Sequence, residues 1–486
     1  MPGELYAGVR PRVPSAREPP RTLAWLALTL VAAAAAGAML GRGEVKLAIL
    51  PVVALLVMFF ASIPAAGYVA ILWSVGTFVD MLAPPAVTMS SLRFVPAEIL
   101  LWIALGSLVF LPRDVRRGLR ALARRRESIV MAVFLAAVIG GVAVGVENGA
   151  SPHDAAFDMR LMLFYAAFWP ALAALTLGRD RVFKLVSAGA VVVVALQILQ
   201  VFAGPSTHLF VIAPSDLAST LTDETGFLRV RPPGLTTVYI VAAFALARVL
   251  WGPPRHRLLG WAMTAVALTG VVLSLNRNML LGLALGLCVA ALIARHRHRF
   301  VVLVATVGLV LSGVGLLAQS STVGSNPVVS RLASITDYPR LKQQTLADRY
   351  YENSIALQSI RDNPVGGLGW GPDYGAVLLS SDYGVRVITP RSFLHQQYLW
   401  IWMRTGIIGL LSLMAALAFG VWNGARWCRA RQGRDDAWLG AGIVASLVAV
   451  AASANVGIYL TPPDSTVPLV GVLALAAVMR RDLARS

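Results

Sequence analysis

One stretch in the last quarter of the chain carries the residue types a transfer reaction needs. Thr389-Pro-Arg391-Ser-Phe-Leu-His395-Gln-Gln-Tyr398-Leu-Trp-Ile-Trp402 opens on Thr-Pro, a pair that commonly starts a helix as N-cap and first residue. On a helix begun there, Arg391, His395, Tyr398 and Trp402 share one face at i, i+4, i+7 and i+11. A neutral imidazole is suited to take the proton of a hydroxyl, so His395 is the catalytic candidate. An interfacial polar residue is its plain alternative.

Three arginines outside that stretch offer charge. Arg277, in Ser274-Leu-Asn-Arg-Asn278, stands between two apolar runs with almost no loop, where a guanidinium can reach a lipid headgroup. Snorkelling at a helix end is the plain alternative. Arg231, in Arg229-Val-Arg231-Pro-Pro-Gly234, is fixed by two prolines just where an apolar helix begins. Arg349 follows Thr345-Leu-Ala-Asp348, a capping-box-like helix start, and Asp362-Asn-Pro364 ends that helix after about 16 residues. Leu346, Tyr350 and Leu357 are expected to form its apolar face, resting at the membrane surface. The next residues, Asn363-Pro-Val-Gly-Gly-Leu-Gly-Trp-Gly371, are glycine-rich enough to bring amides to a phosphate, but a turn is the simpler reading. Arg404, inside an apolar run, is a functional-site candidate by its position.

The elements that must position these residues are membrane spans. Of 486 residues, 57% are hydrophobic and 14% charged, against roughly a quarter charged in soluble proteins, which excludes a soluble enzyme. Apolar runs are read at about 22–40, 47–63, 66–82, 96–111, 128–146, 159–177, 185–203, 235–251, 258–275, 279–294, 300–318, 397–422, 437–459 and 467–479. The fold class is therefore all-α, a polytopic transmembrane bundle of about 12–14 spans, the second and third being the weakest. A net charge of +18 would suggest nucleic acid in a soluble chain. Here most of the 42 Lys and Arg residues fall in short connectors on one side, the positive-inside asymmetry, so no nucleic-acid partner is expected. Both termini are then cytoplasmic. The chain divides into a cytoplasmic tail (1–21), a first bundle (22–318), a large extracytoplasmic loop (319–396), a second bundle (397–479) and a cytoplasmic tail (480–486). No HExxH, paired-cysteine or acidic cluster marks the outer side, so neither a metal nor a cofactor is expected.

The ordered motifs resemble the O-antigen ligase and polysaccharide polymerase family. They are Arg-Pro-Pro-Gly-Leu (231–235), Leu-Ser-Leu-Asn-Arg (273–277), Asp348-Arg349 with Ile360 to Gly371, Phe393-Leu-His-Gln-Gln-Tyr398, and Gly406-Ile-Ile-Gly-Leu410. The resemblance implies a metal-independent membrane glycosyltransferase of the C-type fold in the bacterial cytoplasmic (inner) membrane. It further implies glycan transfer from undecaprenyl pyrophosphate to an acceptor hydroxyl of a glycolipid or glycan, in cell-surface polysaccharide biosynthesis. By the same resemblance Arg231, Arg277 and Arg349 bind the donor pyrophosphate, with Arg391 a weaker candidate, and His395 is the essential loop histidine. The family often has an acidic residue before Gly-Ile-Ile-Gly, where this chain has Arg404-Thr405.

Chemistry agrees with that expectation. Pyrophosphate is a good leaving group that needs charge neutralisation, which arginines supply, while the acceptor hydroxyl gains from a base. A single displacement at the sugar C1 with inversion follows. A polymerase would use a second lipid-linked repeat as acceptor, and a lipid-glycan flippase or solute transporter is the alternative from another class. Against a transporter stands the crowding of polar signals at the outer surface rather than at mid-membrane.

Overall fold

The computed structural model describes residues 45–75, 87–89, 92–94, 96–203, 230, 232–274, 276–295, 298–305, 309, 347–373, 377–381, 384–388 and 394–484. Arg231, Arg391, the first expected span and most of 300–318 lie outside the described residues. The architecture is helical throughout, apart from two short hairpins. In chain order the helices are α1 (Val45–Ser62), α2 (Pro64–Ser74), α3 (Pro96–Ser107), α4 (Arg113–Ala123), α5 (Arg126–Glu147), α6 (Pro152–Met159) and α7 (Phe168–Ala203). They continue with α8 (Leu235–Trp251), α9 (Arg257–Leu273), α10 (Arg277–Ile293), α11 (Ala347–Asp362), α12 (Gln397–Ala430), α13 (Ala437–Ser453) and α14 (Pro463–Leu483). A 3-10 segment, Arg160–Ala167, joins α6 to α7. The hairpins pair β1 (Val87–Met89) with β2 (Leu92–Phe94), and β3 (Val377–Ser381) with β4 (Gly384–Ile388) in the register Val377 to Ile388.

Among the described residues, three helical stretches are long and apolar enough to cross a membrane: Arg126–Glu147, Pro152–Ala203 and Gln397–Ala430. The second and third expected spans form a pair bent by 117° between Ser62 and Pro64, which makes a fourth if it is one span. Four further apolar helices, α8, α9, α10 and α13, have 17 residues each, about 25 Å of helix and the lower end of spanning length. The boundary between the expected spans 159–177 and 185–203 is a non-helical Gly178 inside α7.

Burial follows sequence. α14 is apolar all round from Val467 to Met479 and accordingly lies at the centre, its faces covered by α7, α8, α12 and α13. The α10–α13 contact is close because Gly282 and Gly286 face Ala449 and Ala445. A Cβ on Gly286 would stand 2.2 Å from the Ala445 carbonyl oxygen, so a side chain there would push the helices apart. At the other extreme, α4 turns Val115, Leu119 and Leu122 to one side of a helix otherwise dominated by arginines, the pattern of a helix lying along an interface.

Candidate active site

The sequence places the main candidates on three connected pieces: the first turn of α10, the N-terminal half of α11, and the entry to α12. What brings them together is the C-terminal end of α13. Ser453 Oγ donates to the Asn278 carbonyl at 3.0 Å, the Gln397 amide donates to the Ala454 carbonyl at 3.1 Å, and Tyr398 Oη donates to the Ala451 carbonyl at 2.7 Å. Tyr239 on α8 reaches the same Ser453 hydroxyl at 3.3 Å, and Thr236 Oγ1 lies 2.7 Å from Ser465 Oγ on α14. The N-termini of α8, α10, α12 and α14 therefore gather at one end of the bundle. Each brings the partial positive end of its helix dipole there.

His395 sits in this gathering, but not on a helix. α12 begins at Gln397, capped by the Gln396 side chain, which accepts from the Leu399 amide at 2.9 Å. The expected start at Thr389-Pro390 and Arg391 lie outside the described residues, and with the helix starting at Gln397, His395 precedes the helix that carries Tyr398 and Trp402. Instead, His395 is held from the side by Glu352 on α11. Its Nδ1 lies 2.9 Å from Glu352 Oε2 and 3.1 Å from Oε1, and its backbone amide donates to Oε2 at 3.4 Å. The carboxylate is an acceptor, so Nδ1 carries the hydrogen and the basic lone pair of the neutral ring belongs to Nε2. Glu352 is buried while the His395 side chain is 35% exposed, which is the arrangement of an oriented, accessible base.

Sequence reading did not single out Glu352. The helix α11 has the expected length, yet its packed face is Glu352, Ala356 and Ile360, with Tyr350 and Leu357 exposed. The expected face of Tyr350 and Leu357 is turned away from the protein, and the inward face holds the glutamate that pairs with the histidine. The usable signal was the Glu352, Ala356, Ile360 spacing at i, i+4 and i+8, masked by the aromatic Tyr350.

Arg349, one turn before Glu352, is brought to the same place. Burial holds its guanidinium below the ordinary arginine range, while Glu352 and Tyr459 favour its charged form. Tyr459 in turn accepts from Asn276 Nδ2 at 2.5 Å, which ties Arg349 to the cap of α10. Arg277 is the first residue of that helix. A cation in a first turn opposes the helix dipole, so its position is favourable only where something anionic answers both. The structure thus joins Glu352 and His395 directly, puts Arg349 within electrostatic reach of Glu352 and Tyr459, and ties Tyr459 to the cap of Arg277's helix.

The glycine-rich segment is not a phosphate cradle. The Gly367 amide donates to Asn363, those of Leu368 and Gly369 to Met403, and that of Trp370 to Gly141, so its backbone donors are used within the fold. Trp370 is buried against α5 and donates Nε1–H to the Val138 carbonyl at 2.8 Å. The fully buried Arg404 closes this turn, with Nη1 donating to the Gly369 and Pro372 carbonyls at 2.8 Å each and its guanidinium 4.3 Å from the Trp400 ring centroid. Arg404 is therefore a structural clamp on the turn. Gly406, two residues on, breaks α12 with φ 68°, and the Ile407 amide released there donates to the Val365 carbonyl at 3.0 Å. A Cβ at Gly406 would stand 2.2 Å from that same oxygen. Among the described residues no group of three or more His, Cys, Asp or Glu side chains is arranged to hold a metal.

Residues 262–414 match a family model described as O-antigen ligase, so the resemblance carried by the ordered motifs is shown over that stretch. Arg277, Arg349, Glu352, His395 and Arg404 all fall within it, and Arg231 precedes it. The match supports a membrane enzyme of the O-antigen ligase or polymerase type. No curated protein matches the chain.

Proposed function

From that match and the site geometry together we propose that the chain is a metal-independent membrane glycosyltransferase. It moves a glycan from undecaprenyl pyrophosphate to an acceptor hydroxyl on the outer face of the bacterial cytoplasmic membrane, its fold being of the glycosyltransferase C type. The observation that carries the proposal is the His395–Glu352 contact at 2.9 Å beside the half-buried Arg349. The acceptor O–H gives its proton to His395 Nε2, the oxygen attacks the sugar C1 from the face opposite the leaving group, and the C1–O bond to pyrophosphate breaks. The electron pair leaves on the lipid pyrophosphate, and the configuration at C1 inverts. Arg277 and Arg349, with Arg231 and Arg391 as further candidates, neutralise the departing charge, an electrostatic contribution that grows as charge develops. Four helix N-termini at the same end reinforce it. Glu352 keeps the imidazole in the tautomer that can accept, the part a carboxylate plays in other oriented bases.

A ligase and a polymerase share all of these steps and differ in the acceptor alone. The test is glycan transfer by the purified full-length protein from a synthetic undecaprenyl-pyrophosphate oligosaccharide, in excess EDTA, with the anomeric configuration of the product read by NMR. Inverted product made in EDTA is expected. Retained configuration, or loss of transfer restored by Mg²⁺ or Mn²⁺, would overturn the mechanism.

A further inference from the structure

A cavity of about 610 Å³ runs between α2, α7, α8, α9 and α14, from Thr237 to the charged residues at the end of the bundle away from His395. Its position follows from helix direction. The N-termini of α8 and α14 are at the His395 end, whereas the cavity is bordered by Arg248 in the last turn of α8 and by Trp438 in the first turn of α13. The interior is mostly apolar, built from residues such as Leu72, Val182, Val186, Ile240, Val241 and Leu475. Its mouth is not. Arg179, Lys184 and Arg248 line it together with Asp180 and Asp436, three cations against two acids.

The mouth is rigidly built. Phe183, Phe244 and Trp438 meet edge to face, with ring centroids 5.6 to 6.4 Å apart. Gly442 lies so close under the Phe244 ring that a Cβ there would stand 2.4 Å from Cδ1, which fixes the ring against α13. The Arg248 guanidinium lies 5.2 Å from the Trp438 centroid, and its buried Nε has no hydrogen-bond partner among the described residues. A cation stacked on an aromatic ring with a donor left over is equipped to meet an anionic oxygen. The cavity volume is within the roughly 300–1,000 Å³ of ordinary ligand sites, so it takes a headgroup and part of one chain rather than a whole diacyl lipid.

We propose that this cavity binds a singly charged anionic phospholipid, with the phosphodiester at Arg248 and Lys184 and one acyl chain inserted between α7, α8 and α14. Two features select this occupant over a free anion or a neutral lipid. The interior beyond the mouth is mostly apolar, with the hydroxyls of Tyr68, Thr237 and Ser187 as its polar atoms, so a free phosphate leaves most of it unused, and the surplus of one positive charge at the mouth matches one phosphodiester. Basic pockets between spanning helices are a recurring headgroup site. The inference is independent of the transfer reaction, since none of these residues belongs to the proposed active site.

Native mass spectrometry of the full chain, delipidated and titrated with phosphatidylglycerol, with phosphatidylcholine of the same chains, or with inorganic phosphate, tests it. Phosphatidylglycerol is expected to be retained at least about tenfold better than phosphatidylcholine, and the Arg248→Gln/Lys184→Gln variant to lose about that factor. Ser187→Trp, which fills the cavity from a partly exposed lining position, is expected to lose retention with the charges intact. Equal retention of the two lipids overturns the proposal. So does phosphatidylglycerol binding that neither variant changes, or inorganic phosphate binding as tightly as the lipid. Because transfer activity is not the readout, failure here leaves the proposed reaction standing, and loss of transfer leaves this site standing.

Discussion

Two regions flank the first turns of α12, and they use polar groups in opposite ways. The glycine-rich turn at 363–372 is dense in motif residues, yet its amides are given to Asn363, Met403 and Gly141 and its carbonyls at Gly369 and Pro372 to Arg404. The entry to α12 is sparser, and there a single histidine has one ring nitrogen held by a buried carboxylate and a side chain still 35% exposed. The first arrangement rigidifies and the second can react. Density of recognisable residues therefore did not locate the chemistry. Counting where each donor and acceptor goes did.

That contrast breaks most sharply at His395. Removing a general base costs typically 10²- to 10⁴-fold, so His395→Ala is expected to lower the transfer rate by that order while donor binding survives. His395→Gln, which keeps hydrogen bonding and loses basicity, should be nearly as slow. Near-normal transfer by the Gln variant would turn His395 into a positioning residue. Glu352→Leu removes the acceptor that sets the tautomer, and a charged hydrogen bond of about 1.5–3 kcal/mol translates into roughly a tenfold to hundredfold loss. The loss should fall on kcat with the donor KM unchanged. A change in KM alone would mean that Glu352 shapes the loop and does not orient the imidazole.

Charge on the donor side is next. Arg277→Ala should cost a similar one to two orders of magnitude in kcat/KM, and Arg277→Lys should recover part of it, because an ammonium keeps the charge and loses the planar fork. Full recovery by Lys would reduce Arg277 to a point charge without bidentate contact. The turn side should respond differently. Arg404→Leu leaves two carbonyls without their charged donor and is expected to lower the melting temperature first, with the activity of the remaining folded protein far less affected than in His395→Ala. If Arg404→Leu were fully stable and inactive, the division between the two regions would be wrong.

The end of α11 was legible because it is set locally, by Asn363-Pro364. Its inward face was not, because periodicity singles out apolar residues, and here a glutamate, Glu352, turns inward to meet a residue 43 positions away. The same limit explains α12. Thr-Pro is a valid start signal, but the helix begins where Gln397 can donate to Ala454, a contact that only the packing of α13 provides. Arg277 was found because a cation is unusual at a connector expected to face outward, and His395 because it stands in the ordered motifs beside Tyr398. The role of Arg404 was hidden, since its partners are backbone carbonyls 32 and 35 residues earlier, and carbonyls leave no trace in a sequence.

The smallest expected effect concerns a second carboxylate, which sharpens what partners do. Asp464, in the first turn of α14, is pushed up from 3.8 to about 6 by burial, only partly offset by hydrogen bonds from the backbone amides of Gly234, Asp464 and Ser465. Because the folded value of Asp464 exceeds the unfolded one, the folded chain binds the proton more tightly. The associated stability is present below about pH 4 and is lost as pH rises through about 6. Asp464→Asn keeps an oxygen for the Gly234 amide and cannot ionise. Thermal unfolding of the purified protein should therefore show wild type weakening relative to Asp464→Asn between pH 4 and 7, and the variant at least as stable above that. A difference between the two that does not change with pH would mean that the Asp464 carboxyl is solvated well enough to ionise without cost.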